Sequence, residues 1–408
     1  MTEHERLLKH ALDMGAAMIR NGAETHRVED SLYRLCESCG FSDCNIWVIP
    51  SNIQATVMTP DGASLSQVRH IRRSGVDFGR LDALNALCRR ACADRPCADE
   101  LERQLAAVLG ASEPSAWRAY LGGALAGAGF GVFFNCDALD ALAAAGVSLL
   151  VTFLSRRLSR RETNPLVVNF FISFLAELLI LLGVRIGLGH HVGYIAAGVV
   201  MLLISALGTT NGVRDLVHLD TLSGVMNISL SLTGAIGIAL GIALPLKLFL
   251  RQGGNEIMVL NPNIPLELIA CTVGCAGFAL WFRVKGRHIV WCALGALLTW
   301  TVYLLSFRIY PSNFVACLAG AVVCGLFSQL MARLHKAPAT VFQTVAVFPV
   351  IPGAALYYTM YGLVMADPAL AWDKGFELAL SCFGIVLGFM LAEVLSRILW
   401  RQSAPRRR

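Results

Sequence analysis

Charged residues are scarce in this sequence, and the scarcity is uneven. Asp, Glu, Lys and Arg make up 15% of the 408 residues, whereas soluble globular domains contain about 25%. Residues 1–115 carry charges every few positions, but from Trp117 onward apolar runs follow one another with short polar breaks. The run 166–183 contains a single charge, and roughly 20 apolar residues suffice to cross a bilayer. The sequence therefore predicts a multi-pass protein embedded in a lipid bilayer.

Three further absences bear on the energy source, the location of the N-terminus and the partners. The G-x-x-x-x-G-K-[ST] loop that binds nucleotide phosphates is missing, which argues against an ATP-driven pump on this chain alone. The N-terminus, MTEHERLLKH, lacks the apolar segment of a signal peptide, so we expect it to stay in the cytoplasm. The net charge of +6 comes from basic residues at the ends of apolar runs, so no nucleic-acid partner is predicted. No motif predicts a cofactor.

The 13 cysteines do not predict disulfides, because the expected compartment is reducing and about half of them lie in apolar runs. Cys36 and Cys39 form a C-x-x-C pair, a spacing that also occurs in metal and redox sites. This pair lies within a helical pattern, away from any strand–helix junction. We interpret these cysteines as small buried apolar residues and predict no metal site.

Ten transmembrane helices account for the apolar runs. Lys and Arg concentrate in alternate loops, which predicts a cell inner (plasma) membrane protein with both termini in the cytoplasm. The predicted domains are a cytoplasmic α+β domain (1–115), two five-helix transmembrane repeats (116–250 and 251–400) and a basic cytoplasmic tail (401–408). The predicted membrane helices cover residues 117–134, 137–154, 165–183, 192–208, 222–246, 265–282, 289–306, 312–331, 340–364 and 376–397.

Weak internal matches relate the two predicted five-helix units. The matched pairs are Gly129-Phe130 with Gly277-Phe278, Asn169-Phe170 with Asn313-Phe314, Asn211-Gly212 with Pro352-Gly353, and 237–241 with 384–388, at offsets of 148, 144, 141 and 147 residues. Because five is odd, the second unit must enter the membrane from the opposite side. The matches therefore predict two inverted repeats, a plan that recurs in secondary transporters.

Two segments of the predicted membrane helices should unwind. Residues 208–212 read Gly-Thr-Thr-Asn-Gly, and residues 349–353 read Pro-Val-Ile-Pro-Gly. Proline removes a backbone donor and glycine loosens a helix, and unwound backbone at membrane depth is tolerated where it lines a cavity. A plain cytoplasmic turn and a proline kink are the alternative interpretations. The predicted substrate-binding residues are Thr209, Thr210, Asn211, Asp215, Pro352, Gly353 and Tyr357.

Glu177 lies near the middle of the third predicted membrane helix. An ionisable residue at that depth is a functional hypothesis by default, so we predict that Glu177 couples transport to protons; a neutral packing residue is the alternative. In the first domain, Gly22, Glu24, Arg27 and Glu29 begin the second predicted helix. We interpret this motif as a solvated or docking face, with a gating contact to the membrane helices as the alternative.

Residues 1–115 show the periodicities of a small α+β domain. The predicted helices cover 3–20, 23–38, 79–93 and 98–109, and the predicted strands cover 44–49, 53–59 and 64–71. The domain contains His26 and several carboxylates. However, no pairing of a nucleophile with a base stands out, so an enzyme is not the first interpretation.

The sequence resembles the threonine/serine exporter family (ThrE type), with both halves fused in one chain. The resemblance rests on four segments: Gly22–Asp30, His70–Leu87, Asn211–Leu216 with Gly224, and Pro352-Gly353. It implies export of small polar amino acids driven by the proton motive force. Some relatives that are split into two chains are linked to export of dicarboxylates such as succinate. Thr210-Asn211-Gly212 departs from the Pro-Gly that the family pattern implies for the first half.

Four functions follow as hypotheses. The first is a proton-coupled exporter of threonine or serine, and the second is a dicarboxylate exporter. The third is a membrane-anchored enzyme that acts through residues 1–115, and the fourth is a passive channel or a structural partner. The partners expected are a small-molecule substrate and lipid, and the sequence leaves open whether the chain forms a homo-oligomer.

Overall fold

The structure is a computed structural model. It describes residues 2–72, 75–111, 115–158, 164–204, 208, 211–212, 215–216, 219–249, 263–364 and 366–400. Helices dominate these residues, and a three-stranded sheet lies near the N-terminus. The prediction of a mainly α membrane protein that begins with a small α+β unit is confirmed at this level.

The first elements form an α+β unit, called the N-terminal unit below. Its elements are α1 (Glu3–Arg20), α2 (Thr25–Ser38), β1 (Ser42–Ile49), β2 (Asn52–Met58), β3 (Ser64–His70), α3 (Phe78–Asp94) and α4 (Ala98–Gly110). Helix α1 begins with a capping box, in which the Thr2 side chain accepts from the Glu5 amide and the Glu5 side chain accepts from the Thr2 amide. The strands pair antiparallel in the order β1-β2-β3, and Ile49 pairs with Asn52 across a two-residue turn.

The remaining elements are helices. They are α5 (Ala116–Phe133), α6 (Ala138–Leu158), α7 (Pro165–Arg185), α8 (Val192–Val200), α9 (Thr221–Phe249), α10 (Ile264–Trp281), α11 (Gly286–Ile309), α12 (Asn313–His335), α13 (Ala339–Ala346), a 3₁₀ turn (Phe348–Val350), α14 (Gly353–Val364) and α15 (Pro368–Trp400). Asn164 begins α7 and Asn263 begins α10, each by accepting a backbone hydrogen bond and each followed by a proline in the first turn.

Within the described residues, seven helices are long and apolar enough to cross a membrane: α6, α7, α9, α10, α11, α12 and α15. An eighth candidate is a broken one, in which Ala339–Val350 and Gly353–Leu363 meet at 53°. The predicted number of ten is not confirmed. Glycine-rich α5 is not among the seven, and α8 has only nine residues. The predicted helix 192–208 ends at Val200 as a regular helix and passes into turns over 201–203.

Glycines bring α5 and α10 into backbone contact. A Cβ atom added to Gly122 would lie 2.6 Å from the carbonyl oxygen of Gly277. One added to Gly129 would lie 2.6 Å from the backbone nitrogen of Gly274. Because residue numbers rise along α5 as they fall along α10, the two helices are antiparallel. Such an approach requires residues without side chains, so the glycines define the centre of the bundle.

Two further helix pairs pack closely, and each pair is parallel. Helix α9 lies on α7, where a Cβ atom on Gly241 would meet the Phe170 carbonyl oxygen at 2.5 Å. Helix α15 lies on α12, where a Cβ atom on Gly388 would meet the Leu318 carbonyl oxygen at 2.6 Å.

The N-terminal unit sits against one end of the helix bundle, called the proximal end below; the other is the distal end. The Phe78 amide donates to the Phe282 carbonyl at 3.0 Å. Arg283 Nη1 lies 2.8 Å from Asp77 Oδ2, and Lys285 pairs with Asp82. These contacts attach α3 to the turn between α10 and α11.

Candidate functional site

Helices α13 and α14 are two parts of one broken helix. After the 3₁₀ turn at Phe348–Val350, Ile351 takes an extended conformation with ψ of 124°. Pro352 cannot donate a backbone hydrogen bond, and α14 starts at Gly353. The helix is therefore interrupted within the segment 349–353, as the sequence predicted.

A cavity of about 150 Å³ lies against this interruption and is called the break cavity. Residues 349–355, which include the interruption, contribute to its lining. The polar side chains in its lining belong to Tyr303, Asn313, Tyr358, Lys374, Glu377 and Ser381. A cavity with both unwound backbone and charged side chains is suited to a small polar molecule.

Three hydrogen bonds hold the polar side chains of the break cavity in a chain. Lys374 Nζ donates to Glu377 Oε2 at 2.7 Å, and Asn313 Nδ2 donates to Glu377 Oε1 at 2.8 Å. The Tyr303 hydroxyl then donates to Asn313 Oδ1 at 3.1 Å. The side chains of Lys374 and Glu377 are 25% and 33% exposed, so both charges are accessible from the cavity. The cavity thus offers one cation and one anion side by side.

Aromatic rings form another part of the cavity wall. The Trp300 and Tyr303 rings stack with centroids 4.4 Å apart, and Phe133 meets the Trp300 ring edge-on at 4.8 Å. Phe134 also lines the cavity. This wall limits the space available to an apolar side chain of a ligand.

The broken helix faces the end of α8. A Cβ atom on Gly353 would lie 2.5 Å from Met201 Sδ and 3.2 Å from Ile204 Cδ1. Both contacts fall just beyond Val200, where regular helix stops. The end of α8, and not the predicted segment 208–212, therefore meets the interruption of the second half next to the break cavity. The described residues of that segment, 208, 211 and 212, are helical, so the predicted unwinding is not seen in them.

The structure places three predicted site residues at or beside this cavity. Pro352 and Gly353 line it. Tyr357 follows one turn later and is 3% exposed. Glu177 of α7 is 1% exposed, lies within electrostatic range of Tyr357, and has an Oε1 atom without a hydrogen-bond partner among the described residues. Glu177 and Tyr357, which are 180 positions apart in the chain, thus share one buried region.

Asp215 lies elsewhere, at the junction with the N-terminal unit. Its Oδ1 accepts from the Thr25 hydroxyl at 2.7 Å, and its Oδ2 accepts from Ser223 at 2.9 Å and Asn227 at 3.0 Å. Burial raises the pKa of Asp215, and these hydrogen bonds oppose the rise. Asn211 is buried. Thr209 and Thr210 lie outside the described residues.

The predicted motif of the N-terminal unit also lies at this junction. Glu24 is 2% exposed and accepts from the Thr340 hydroxyl at 2.6 Å and from Arg27 Nε at 3.1 Å. Gly22 has a φ of +93°, a left-handed conformation that glycine adopts at no steric cost. Glu29 is half-buried, and its pKa is raised by burial and by the charge of Asp220. Through Glu24, the motif contacts α13 of the helix bundle.

A second cavity, of about 1030 Å³, opens beside this junction. The N-terminal unit contributes His26, Arg27, Asp30 and Arg34, and the ends of α12 and α15 contribute Arg333, Glu393 and Arg397. Charges of both signs line it. It is wide enough to admit a small polar molecule between the N-terminal unit and the helices.

Sequence reasoning missed the charged pair of the break cavity. The prediction assigned Lys374 to an external loop, because the apolar run was taken to begin at Phe376, whereas α15 begins at Pro368. Glu377 and Lys374 are three residues apart on one helix face, and this spacing was the available signal. Asn313 was noted only as part of a repeat match.

Two family models together cover most of the chain. The model described as "Putative threonine/serine exporter" matches residues 9–249, and the model described as "Threonine/Serine exporter, ThrE" matches residues 267–395. The chain belongs to the threonine/serine exporter family. The boundary between the two models falls between α9 and α10, where the first five-helix unit was predicted to end.

Individual relatives agree with this assignment. "Probable threonine/serine exporter" of Mycobacterium tuberculosis is 21% identical over 406 residues, covering 96% of this chain and 76% of the relative. "Threonine/serine exporter" of Corynebacterium glutamicum is 28% identical over 244 residues, covering 57% of this chain and 49% of the relative. No solved structure matches. Family membership and the apolar helices indicate a multi-pass membrane protein of a bacterial plasma membrane, in a family of exporters.

Proposed function

We propose that the protein is a secondary active exporter of threonine and serine that binds its substrate in the break cavity. The observation that carries the proposal is the pairing of Lys374 and Glu377 beside the unwound backbone of residues 349–353. The lysine is placed to bind the carboxylate of an amino acid and the glutamate to bind its ammonium group. Backbone amides and carbonyls freed by the interruption bind the hydroxyl group.

Alternating access requires two related packings, and we propose that an inverted repeat supplies them. The α5–α10 contact supports this idea. When 148 is added to the residue number on α5 and subtracted from the residue number on α10, one observed contact gives the residue numbers of another. The contact of Gly122 with Gly277 corresponds in this way to a contact of Ala270 with Gly129. That second contact is observed, since the Ala270 carbonyl oxygen lies 3.0 Å from a Cβ built on Gly129. Antiparallel helices related in this way share a two-fold axis perpendicular to their length.

Backbone geometry in the rest of the bundle supports the same repeat. Among the described residues from Ala116 onward, the left-handed ones fall into three pairs at separations of 148, 149 and 147: Asn135 with Arg283, Gly187 with Lys336, and Leu219 with Ala366. Two equivalent hydrogen bonds accompany the last pair, from the Asp220 amide to the Asp215 carbonyl and from the Asp367 amide to the Gly362 carbonyl. In this register α8 corresponds to α13.

Charge distribution supports an orientation with the N-terminal unit in the cytoplasm. Basic residues favour the cytoplasmic ends of membrane helices. The described ones near the proximal end are Arg118, Arg156, Arg157, Arg283, Lys285, Arg287, Arg333, Lys336 and Arg397, and those near the distal end are Arg185, Lys247, Arg308 and Lys374. The large cavity then faces the cytoplasm as a substrate entrance, and both termini are cytoplasmic.

Coupling to protons is assigned to Glu177. An ionised carboxylate at membrane depth is costly unless water or a partner reaches it. Proton exchange at Glu177 therefore requires a conformation that opens its region to water. Glu177 lies near Tyr357 of α14, so water would reach Glu177 when α14 moves. The same movement would change the break cavity, where α14 begins.

A dicarboxylate such as succinate is the second candidate substrate. Lys374 supplies the fixed cation that a dicarboxylate requires. However, Glu377 holds a negative charge 2.7 Å from Lys374, which repels a second carboxylate. The balance of one cation and one anion favours a zwitterion.

Transport into and out of proteoliposomes tests the proposal. The purified protein is reconstituted, the vesicles are loaded with labelled threonine, serine or succinate, and a pH gradient is imposed. We expect gradient-dependent flux of threonine and serine. Lys374→Met and Glu377→Gln should each lower this flux about 10-fold or more, because each removes a charge-assisted hydrogen bond of about 1.5–3 kcal/mol.

Arg185→Gln is the matched control, since it removes a cation at the distal end without touching the break cavity. Flux of succinate alone would overturn the choice of substrate. Flux that is unchanged in both cavity variants would overturn the choice of site.

A further inference from the structure

We propose that Asp137, Asp140 and His190 form a binding site for a divalent transition-metal ion, with Zn²⁺ as the best match. The site lies at the distal end of the bundle. Asp137 precedes α6 and Asp140 belongs to its first turn, while His190 precedes α8. The proposal does not depend on the exporter function.

The geometry of the donor atoms supports the site. One ligand atom from each of the three residues lies within 4.8 Å of the other two. Asp137 Oδ2 is 2.5 Å from His190 Nδ1, and Asp140 Oδ2 is 2.7 Å from His191 Nδ1. His191 therefore lies next to Asp140, although the three mutually close ligand atoms come from Asp137, Asp140 and His190.

The two carboxylates are held in place by hydrogen bonds that a bound ion would not disturb. Asp140 is fully buried, and its Oδ1 accepts the amides of His190 at 2.6 Å and His191 at 3.2 Å. Asp137 Oδ1 accepts the Asp140 amide at 2.8 Å. Outer hydrogen bonds of this type orient metal ligands and strengthen binding. The remaining carboxylate oxygens stay directed at the imidazoles.

The donor set selects the type of ion. Two carboxylates and one or two imidazoles suit Zn²⁺, Co²⁺ or Mn²⁺, whereas Mg²⁺ and Ca²⁺ prefer oxygen ligands only. The two negative charges balance one divalent cation, so binding neutralises a partly buried pair. An ion bound to His190 Nδ1 replaces the hydrogen bond to Asp137, and any proton on that nitrogen moves to Nε2 or to solvent.

The site can act on the break cavity. Phe134 lines that cavity three residues before Asp137, and the Tyr358 hydroxyl lies 3.3 Å from a Cβ built on Gly193, at the start of α8. A bound ion would fasten the start of α8 to α6 next to these contacts. The positions that lie 148 residues after Asp137 and Asp140 are Lys285 and His288. The second half therefore has no carboxylate at either corresponding position.

Metal binding to the full-length protein, purified without a histidine tag, tests the proposal. Co²⁺ is titrated and its visible d–d absorption recorded, and Zn²⁺ is titrated by calorimetry. We expect one saturable equivalent. The double variant Asp137→Asn/His190→Gln should bind at least about 100-fold more weakly, because it removes two direct ligands. Asparagine still caps a helix, so α6 should keep its start.

The control variant is Asp61→Asn/His70→Gln, which removes an exposed carboxylate and an exposed histidine of the N-terminal unit, at the opposite end of the bundle. It should bind Co²⁺ and Zn²⁺ like the unchanged protein. The proposal is overturned if neither ion binds saturably, or if the Asp137/His190 variant binds as tightly as the control. Circular dichroism of both variants checks that the helices are intact.

Discussion

The Glu24 carboxylate accepts a 2.6 Å hydrogen bond from the Thr340 hydroxyl, although the two residues are 316 positions apart. Glu24 immediately precedes α2 but does not cap it. Thr340 is the second residue of α13, the helix that leads to the interruption at 349–353. The N-terminal unit therefore touches the start of the broken helix directly, and we propose that this contact is part of the cytoplasmic gate.

Removing the Thr340 hydroxyl should loosen this contact. We expect Thr340→Val to lower the free energy of unfolding by about 1–3 kcal/mol, because Glu24 loses a buried hydrogen bond. The measurement is thermal unfolding in detergent, combined with Glu24→Gln in a double-mutant cycle. Thr301→Val is the control, since that hydroxyl bonds only within its own helix, to Leu297. Additive effects of the two variants would contradict a direct coupling.

The α5–α10 crossing should not tolerate added side chains. Gly277→Ala places a Cβ 2.5 Å from the Ala126 nitrogen, and we expect destabilisation by about 1–3 kcal/mol or more from overpacking. Gly146→Ala in α6 meets nothing within 4 Å and should be neutral or stabilising by up to about 1 kcal/mol. Thermal unfolding compares the two, and equal unfolding temperatures would refute the crossing.

Glu29 should make stability depend on pH. Its folded-state pKa is raised above the ordinary 4.5 by burial and by Asp220, so the folded protein binds this proton more readily than the unfolded chain. The contribution of Glu29 to the free energy of unfolding therefore falls as the pH rises from the ordinary pKa to the raised pKa. Above the raised pKa, the ionised Glu29 destabilises the folded state by a constant amount.

We therefore expect Glu29→Gln to be more stable at pH 7 and to have a flatter stability profile on the acid side. Unfolding temperatures measured between acid and neutral pH check this expectation. Asp61→Asn, at an exposed turn position whose charge is not among those acting on Glu29, should leave the profile as it is. A steeper profile for Glu29→Gln would show that the sign is wrong.

Glu177→Gln should separate transport from the proton gradient. We expect accumulation driven by a pH gradient to disappear while threonine exchange across the membrane continues, because glutamine fills the same space without titrating. Glu267→Gln provides the comparison, since Glu267 is also buried and also has an Oε1 atom without a partner among the described residues. Loss of coupling in the Glu267 variant alone would move the proton site to α10.

Most secondary-structure elements of the N-terminal unit could be predicted from local sequence patterns. The predicted helix 3–20 coincides with α1 (Glu3–Arg20), and the three predicted strands match β1 to β3 within two residues. Caps, turn residues and apolar periodicity are properties of neighbouring residues, so they are visible in the sequence. The break cavity could be predicted only in part. Pro352 and Gly353 predict the interruption, whereas Glu377 and Asn313, which are 64 positions apart, are brought together only by the fold.

The proposed repeat shows where short matches fail. Phe130 and Phe278, matched at an offset of 148, do meet, with ring centroids 5.6 Å apart. The match of Asn211-Gly212 with Pro352-Gly353, at 141, does not fit the register of the backbone hydrogen bonds, which is 147 around Asp215 and Gly362. Glycine and asparagine recur often near helix ends, so their identity alone does not define register.

The sequence by itself determined that most of the chain from Trp117 onward forms apolar helices and that an α+β unit precedes them, because hydropathy over about 20 residues decides the preferred solvent of a segment. Only the tertiary structure decided which polar groups meet. Lys374 and Glu377 line one cavity with residues 349–353, Asp215 binds Thr25, and Glu24 binds Thr340, because helix packing brings together residues that lie far apart in the chain. A contact of that kind depends on how whole helices pack, and no local pattern encodes it.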